Sequence, residues 1–348
     1  MNLKQLSAHL RLSPTTVSRA LNGYPEVSET TRRRVLDAAA RHNYSPNAKA
    51  KRLATGRSMT IGHLLPVSKE HEMVNPVFAD FIAGAGECYA AAGYDLMLSV
   101  VKDEDETATY RDLHTRGAVD GVMVHGPRIN DPRIPMLWEL GLPFVVHGRS
   151  SALDIDYNWL DVNNRRAFFR ATSLLLDLGH RRIGLINGQE GMDFAARRLA
   201  GYRDALTERS IRPDNALEFH GEMTETYGCA TARKMLDLAE PPTAFLVSSI
   251  VPAIGVRRAI GDLGLTIGRD ISLVIHDDDL SYFRNDGDVP TYTATRSSVR
   301  EAGRRAARIL LEAIASPGTT RNMLLEAELT IGQSTGPAPA FRRLVEQG

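Results

Sequence analysis

Leu12-Ser13-Pro14-Thr15-Thr16-Val17-Ser18-Arg19-Ala20-Leu21-Asn22 is the stretch on which the reading of this chain turns. Ser13 suits a helix cap and Pro14 a first helical turn. Val17, Ala20 and Leu21 then fall on one face at helical spacing, which leaves Thr15, Thr16, Ser18, Arg19 and Asn22 on the other. Working outward, residues 4–10 form a second short amphipathic pattern, and Arg11-Leu12-Ser13 is the turn between the two. That layout is a helix-turn-helix, a pair built to set one helix in a major groove of DNA. The exposed face carries hydroxyls, an amide and a guanidinium, groups that bond base edges and phosphates. Residues 30–42 are expected to add a third helix, opened by Ser28 to Thr31 and burying Val35, Leu36, Ala38 and Ala39. Its Arg32-Arg33-Arg34 run reads equally well as a phosphate contact or as a solvated charged face.

Charge is distributed unevenly. The whole chain has 42 basic and 42 acidic residues, so its bulk charge says nothing about a polyanionic partner. Residues 1–60, however, hold eleven basic side chains against Glu26, Glu29 and Asp37, a surplus of eight that the remainder balances. A basic head on an acidic body is the footprint of a segment that meets a phosphate backbone.

Three blocks carry a more specific likeness: residues 13–23, then Val27-Ser28-Glu29-Thr30-Thr31-Arg32, then Tyr44-Ser45-Pro46-Asn47. Together they resemble the lactose-repressor (LacI) family, and residues 178–183 and 270–274 extend the likeness over essentially the whole chain. The resemblance implies DNA contacts at Thr15, Thr16, Ser18, Arg19, Asn22, Tyr44, Asn47, Ala50 and Leu53. It also implies that residues 46–57 form a hinge helix that folds when two copies meet on DNA. Its leucine, Leu53 here, would wedge into the minor groove and kink the duplex. Alone in water so short a segment is a marginal helix, and without the resemblance it reads as a basic linker. One departure is Arg11, which stands where the family's turn usually has glycine; a left-handed residue with a side chain costs about 1 kcal/mol.

After Met59 the pattern alternates between strand and helix. Residues 61–67, 96–101, 119–125 and 143–147 are short apolar runs rich in branched side chains, with a helix expected at 77–92. The alternation restarts with strands at 182–187, 243–248 and 271–276 and helices near 166–178, 193–209, 226–238 and 251–263. Strands spaced by helices mean parallel sheets, and this length exceeds one core. The fold class is therefore an all-α helix-turn-helix head and an α/β body of two doubly wound lobes, the architecture also seen in periplasmic binding proteins. The expected boundaries are 1–45 for the head and 46–57 for the hinge. The first lobe is expected at 59–161 with 291–317, the second at 162–290 with 318–335, and a tail at 336–348.

Two such lobes leave a crevice at the carboxyl ends of their strands, where ligands bind. The resemblance implies effector contacts there from Phe78, Asn163, Arg198, Ser249 and Asp277, and His125 and Arg149 close two strands of the first lobe. Arg198 also reads as a surface ion pair, and His125 as a satisfied strand-end histidine. Ile250 and Asn163 replace two of the family's usual acids, which leaves Arg198 and Asp277 as the main charged pair and favours a neutral polyhydroxylated ligand. Asn75-Pro76-Val77-Phe78-Ala79-Asp80 and residues 294–299 are similar to repressors of alpha-glucoside uptake. A regulator answering to a nucleobase or phosphorylated metabolite, and a stand-alone sugar-binding protein, are the other readings.

Catalysis is disfavoured. Consecutive acids at 277–279 alternate in direction on a strand end and do not converge on one ion, and no phosphate loop, nucleophile elbow or zinc spacing occurs. Cys88 and Cys229 have no ligand spacing and read as reduced thiols. No apolar run has membrane length. The expectation is a cytoplasmic, effector-controlled regulator without cofactor or metal that binds a palindromic DNA operator as a homodimer. The twelve residues after Gly336 are too few for a coiled-coil bundle of about three or four heptads, so a tetramer is not expected.

Overall fold

The computed structural model describes residues 1–21, 23–44, 56–66, 76–102 and 105–339. They fall into two units, Met1–Met59 and Thr60–Gly348. The hinge residues Asn47, Ala50 and Leu53, with Asn22, lie outside the described residues.

The first unit is a three-helix head: α1 (Leu3–Leu10), α2 (Pro14–Leu21) and α3 (Glu29–Arg41). Each start is capped. Asn2 and Gln5 form a reciprocal capping box, Ser13 Oγ accepts from the Thr16 amide at 3.0 Å, and Ser28 Oγ accepts from the Thr31 amide. Arg11 ends α1 in the left-handed conformation, φ 55 and ψ 40, as the turn requires of a residue that is usually glycine. Leu6, Leu10, Val17, Ala20, Val27, Val35, Ala38 and Ala39 close the core. Leu36 does not join them: it is 47% exposed. Val35, Ala38 and Ala39 share one stripe at spacings of three and four, and Leu36 sits about 100° round the helix from Val35.

The second unit holds two six-stranded sheets. In the first the order is β11-β5-β4-β3-β1-β2, from β1 (Thr60–Pro66), β2 (Asp95–Val101), β3 (Gly121–His125), β4 (Phe144–His147), β5 (Trp159–Val162) and β11 (Asn322–Leu325). In the second it is β12-β10-β9-β8-β6-β7, from β6 (Ile183–Asn187), β7 (Glu218–His220), β8 (Ala244–Val247), β9 (Ser272–Asp277), β10 (Thr293–Arg296) and β12 (Glu328–Thr330). The pairings are parallel except β10 with β12. β3, β8 and β9 are buried along their whole length, as strands covered by helices on both faces must be.

The lobe boundaries differ from expectation near the C-terminus. Residues 291–317 were expected in the first lobe, yet β10 is in the second sheet and only the helix Val299–Ala315 packs on the first. Residues 318–335 were expected in the second, yet β11 pairs with β5 in the first. Strands of three or four residues carry no readable periodicity, so the chain's crossings between lobes are set by pairing that only the tertiary structure shows.

Backbone contact draws the helices tight. A Cβ at Gly84 would stand 2.0 Å from the Arg300 carbonyl oxygen, and one at Gly303 2.2 Å from that of Phe81. The helices Pro76–Ala91 and Val299–Ala315 therefore meet through glycine, which anchors the N-terminal turn of the first at the crevice.

Candidate functional site

On the head, α2 turns Thr15 and Arg19 outward, with Thr16 and Ser18 partly covered. The Thr16 hydroxyl lies 2.8 Å from that of Ser13 and so belongs to the cap as well as to the exposed face. Tyr44 packs partly against the head's core. Two arginines of the basic run are committed internally: Arg32 pairs with Glu29 and donates to the Tyr24 carbonyl at 2.9 Å, and Arg34 donates to the Leu10 carbonyl at 3.1 Å. Arg33 is exposed.

Between the two lobes of the second unit lies a cavity of about 430 Å³ at the carboxyl ends of the strands. Its first-lobe wall is largely ring-bearing: Phe78 from the helix Pro76–Ala91, His125 ending β3, Pro127, and His147 ending β4. The second-lobe wall carries most of the polar groups, Asn164, Gln189, Arg198, Thr224, Ser248, Ser249 and Asp278, set among Met192, Phe194, Met223 and Val251.

Arg198 is the centre of that polar wall. It stands on the helix Asp193–Glu208 and is 6% exposed. Its Nε donates to Asn164 Oδ1 and its Nη1 to the Ser248 carbonyl, each at 2.7 Å. The rings of Phe168 and Phe194 lie 5.0 and 4.9 Å from the guanidinium carbon. Burial pulls this guanidinium down to about 10, with Asp278 and Asp161 opposing the shift, so it remains charged at neutral pH. Burial pushes the Asp278 carboxyl up to about 7, against the pull of Arg198 and with the help of Asp277. His276, whose Nδ1 bonds the Thr295 hydroxyl at 3.0 Å, is held neutral by burial and by Arg198.

Four of the seven expected residues are on the cavity: Phe78, His125, Arg198 and Ser249. Ser249 also caps the helix Ile250–Asp262 through the Val251 amide. The other three are displaced. Asn163 caps the helix Asn164–Asp177 and donates to Glu326 at 2.8 Å, so its neighbour Asn164 reaches the cavity instead. Asp277 ends β9 and turns away, accepting from the Asp279 amide, and strand alternation gives the cavity to Asp278. Arg149 bonds Asp161 at 3.1 Å and stacks over Trp159, drawn off the cavity by a carboxylate.

Sequence reasoning also missed Asp161, His147, Gln189 and Phe194. The signal available for Asn164 was the preference for asparagine as a cap, which assigns Asn163 to the helix start.

The lobes are joined on both sides of the cavity. Arg197 pairs with Asp161 of β5 and with Asp193, and donates to the Arg149 carbonyl at 3.1 Å. Opposite, the Ser281 amide and hydroxyl bond Asp80 of the helix Pro76–Ala91 at 2.8 and 3.0 Å.

Comparison with known proteins agrees with this architecture. Residues 11–47 match the family described as bacterial regulatory proteins, lacI family, and residues 172–335 match a periplasmic binding protein-like domain. The HTH-type transcriptional regulator AglR of Rhizobium meliloti (strain 1021) is 46% identical over 340 residues, covering 97% of this chain and 95% of that protein. This chain belongs to the LacI family.

Another relative, the HTH-type transcriptional regulator CelR of Thermobifida fusca, is 28% identical over 95% of this chain and 97% of its own. Among solved LacI-family structures, the lac repressor dimer bound to operator and the anti-inducer ONPF superposes with a TM-score of 0.82 at 26% identity, over 97% of this chain and 99% of that one. A CelR–cellobiose complex gives 0.71 at 27% identity, over 96% and 99%. As a LacI-family member the chain is a DNA-binding transcriptional regulator, and the head and two-lobed body are that family's parts. Among the described residues no helix is long and apolar enough to cross a membrane, and no group of three or more His, Cys, Asp or Glu converges as metal ligands.

Proposed function

We propose that this regulator is a repressor that binds a palindromic operator as a homodimer, and that a neutral carbohydrate, an alpha-glucoside of one or two rings, sets its operator affinity from the cavity between the lobes. The observation that carries the effector class is the buried Arg198, held by Asn164 and the Ser248 carbonyl and facing Asp278 across the polar wall. Hydroxyl groups accept from the guanidinium and donate to the carboxylate, while the ring face of a sugar lies against Phe78 and the histidines. Among the described residues Arg198 is the single Arg or Lys lining the cavity, and Asp161, Glu222, Glu225 and Asp278 are its acids. A phosphorylated ligand would meet that surplus of carboxylates unfavourably. The volume lies within the range of about 300–1,000 Å³ for small-molecule sites.

The effector contacts are Phe78, His125, Asn164, Arg198, Ser249 and Asp278; the DNA contacts are Thr15, Thr16, Ser18, Arg19, Asn22 and Tyr44, with Asn47, Ala50 and Leu53 of the hinge. The relatives support this reading, since one solved neighbour holds cellobiose and another an operator as a dimer. The test is calorimetric titration of the full chain with maltose, sucrose and trehalose beside a nucleoside and a sugar phosphate, followed by operator mobility shift with each. Binding of the nucleoside or sugar phosphate in preference to the disaccharides rejects the effector class.

A further inference from the structure

Two buried histidines and a tyrosine of the first lobe form a hydrogen-bonded chain that ends at the cavity wall. Tyr89 Oη lies 3.1 Å from His63 Nε2, and His63 Nδ1 lies 3.2 Å from His125 Nε2. Burial holds both imidazoles neutral and the phenol protonated. His125 contributes to the cavity wall, and its remaining nitrogen, Nδ1, is buried without a hydrogen-bond partner.

A neutral imidazole carries one N–H, so the chain runs in one of two directions. If Tyr89 donates to His63 Nε2, then His63 donates from Nδ1 to His125 Nε2, and His125 keeps its proton on Nδ1. If His125 donates from Nε2 instead, His63 donates to Tyr89 and the phenolic proton is left in the core, because His63 is that hydroxyl's hydrogen-bond partner among the described residues. An unmet buried donor costs as much as a lost hydrogen bond. Each direction leaves one donor unmet in the ligand-free protein; the first leaves it on His125, a residue of the cavity wall, and the second on Tyr89, which is not one. Phe78, Phe81 and His147 stand edge-on to His125 at 5.3, 5.1 and 5.8 Å and pack its ring, which opposes a flip that would put ring carbons in place of its nitrogens.

We propose that Tyr89 and His63 are positioning residues that fix His125 as the Nδ1–H tautomer, so that His125 reads an acceptor oxygen of the effector, the ring or glycosidic ether oxygen of a sugar. This rests on the carbohydrate reading of the cavity. An ether oxygen accepts and never donates, so the opposite tautomer would meet it lone pair to lone pair.

The test uses the full chain labelled with ¹⁵N in histidine, read by long-range nitrogen–proton correlation without sugar, with the His125 signals assigned by their loss in His125→Asn. The expected pattern is a protonated Nδ1 and a bare Nε2 at His125; the reverse overturns the proposal. Tyr89→Phe removes the proton that sets the direction and is expected to give mixed tautomers at both histidines, whereas a purely structural tyrosine would leave the pattern unchanged. Maltose affinity gives the second readout. Tyr89→Phe should weaken it by about three- to tenfold, the worth of one hydrogen bond. On a His125→Asn background, whose side-chain amide supplies a fixed donor, Tyr89→Phe should cost nothing more, and equal losses in both backgrounds overturn the positioning role. If maltose and the other disaccharides bind none of these proteins, the carbohydrate reading falls and the reading of an ether oxygen with it, while the nitrogen spectrum still decides the tautomer.

Discussion

Arg198 carries both the charge and the geometry of the polar wall, and its removal separates two functions that share one chain. In Arg198→Ala the head is untouched, so operator binding should persist while the effector response is lost. A charge-assisted hydrogen bond contributes about 1.5–3 kcal/mol, which predicts a loss of about ten- to 150-fold in effector affinity by calorimetry. A variant that still responds at ordinary effector concentrations would remove Arg198 from the site. Asp278 makes the second residue-scale prediction. Its carboxyl sits at about 7 in the folded protein, against about 3.9 unfolded, so the native state holds an extra proton between those values. The stability this gives is full below about pH 4 and is lost as pH rises through about 7. Effector binding has the opposite slope, because hydroxyls donate to the ionised carboxylate: affinity for a non-titrating sugar should strengthen several-fold from pH 6 to pH 8. His63 and His147, lowered by burial to about 3 and about 4, stay neutral throughout that window. Asp278→Asn should flatten the profile, and a flat wild-type profile would show that the sugar does not use this group. The sequence reading set two of the cavity's polar residues one position off. Asn163 and Asn164, like Asp277 and Asp278, are chemically alike, and only the phase of the cap and of the strand's alternation, fixed by the sheet, tells them apart.

At the scale of elements, glycine positions decide how closely the helix bearing Phe78 and Asp80 approaches its partner. Gly84→Ala would drive a methyl group to 2.0 Å from the Arg300 carbonyl oxygen. The two helices must separate, and overpacking of this kind costs about 1–3 kcal/mol, which thermal unfolding would register; an unchanged transition would mean that the helices already have room. Effector affinity should fall with it, because the same helix sets one wall of the cavity. In the head, α2 keeps its face only while Val17 and Ala20 hold it to the core. Arg19→Ala, on the opposite face, should weaken operator binding without lowering the head's stability, and a mobility-shift titration beside circular dichroism checks both. Five helices of the body and the strands β1, β2, β3, β4, β6, β8 and β9 were legible to within a few residues, the strands because each is a run of largely apolar, branched residues. β5, β7, β10, β11 and β12 were not, because three or four residues of mixed polarity, as in Glu218–His220 and Thr293–Arg296, show no period, and with them went the points at which the chain crosses between lobes.

For the whole molecule, charge and connection divide the work. The basic surplus lies within residues 1–60, so operator affinity should fall steeply with salt through counterion release, while sugar affinity should not. Coupling between the lobes rests on the contacts that span them, and Arg197 is the most committed of these: it joins Asp193 of its own helix to Asp161 at the end of β5 and to the Arg149 carbonyl. Asp161 is itself raised by burial, with Arg197 the largest opposing influence. Arg197→Ala would therefore take one partner from each of two buried carboxylates, leaving Asp161 with Arg149 and Asp193 with the Ser151 amide, a loss of about 1.5–3 kcal/mol. Because Asp80 and Ser281 still join the lobes on the far side of the cavity, the expected result in scanning calorimetry is a body that unfolds at lower temperature in two resolved steps, one for each lobe. Saturating effector, which touches both lobes, should draw those steps back together by binding the joined state alone. A single step at the wild-type temperature would show that Arg197 ties side chains without tying lobes, and that coupling runs through the crossing segments of the chain itself.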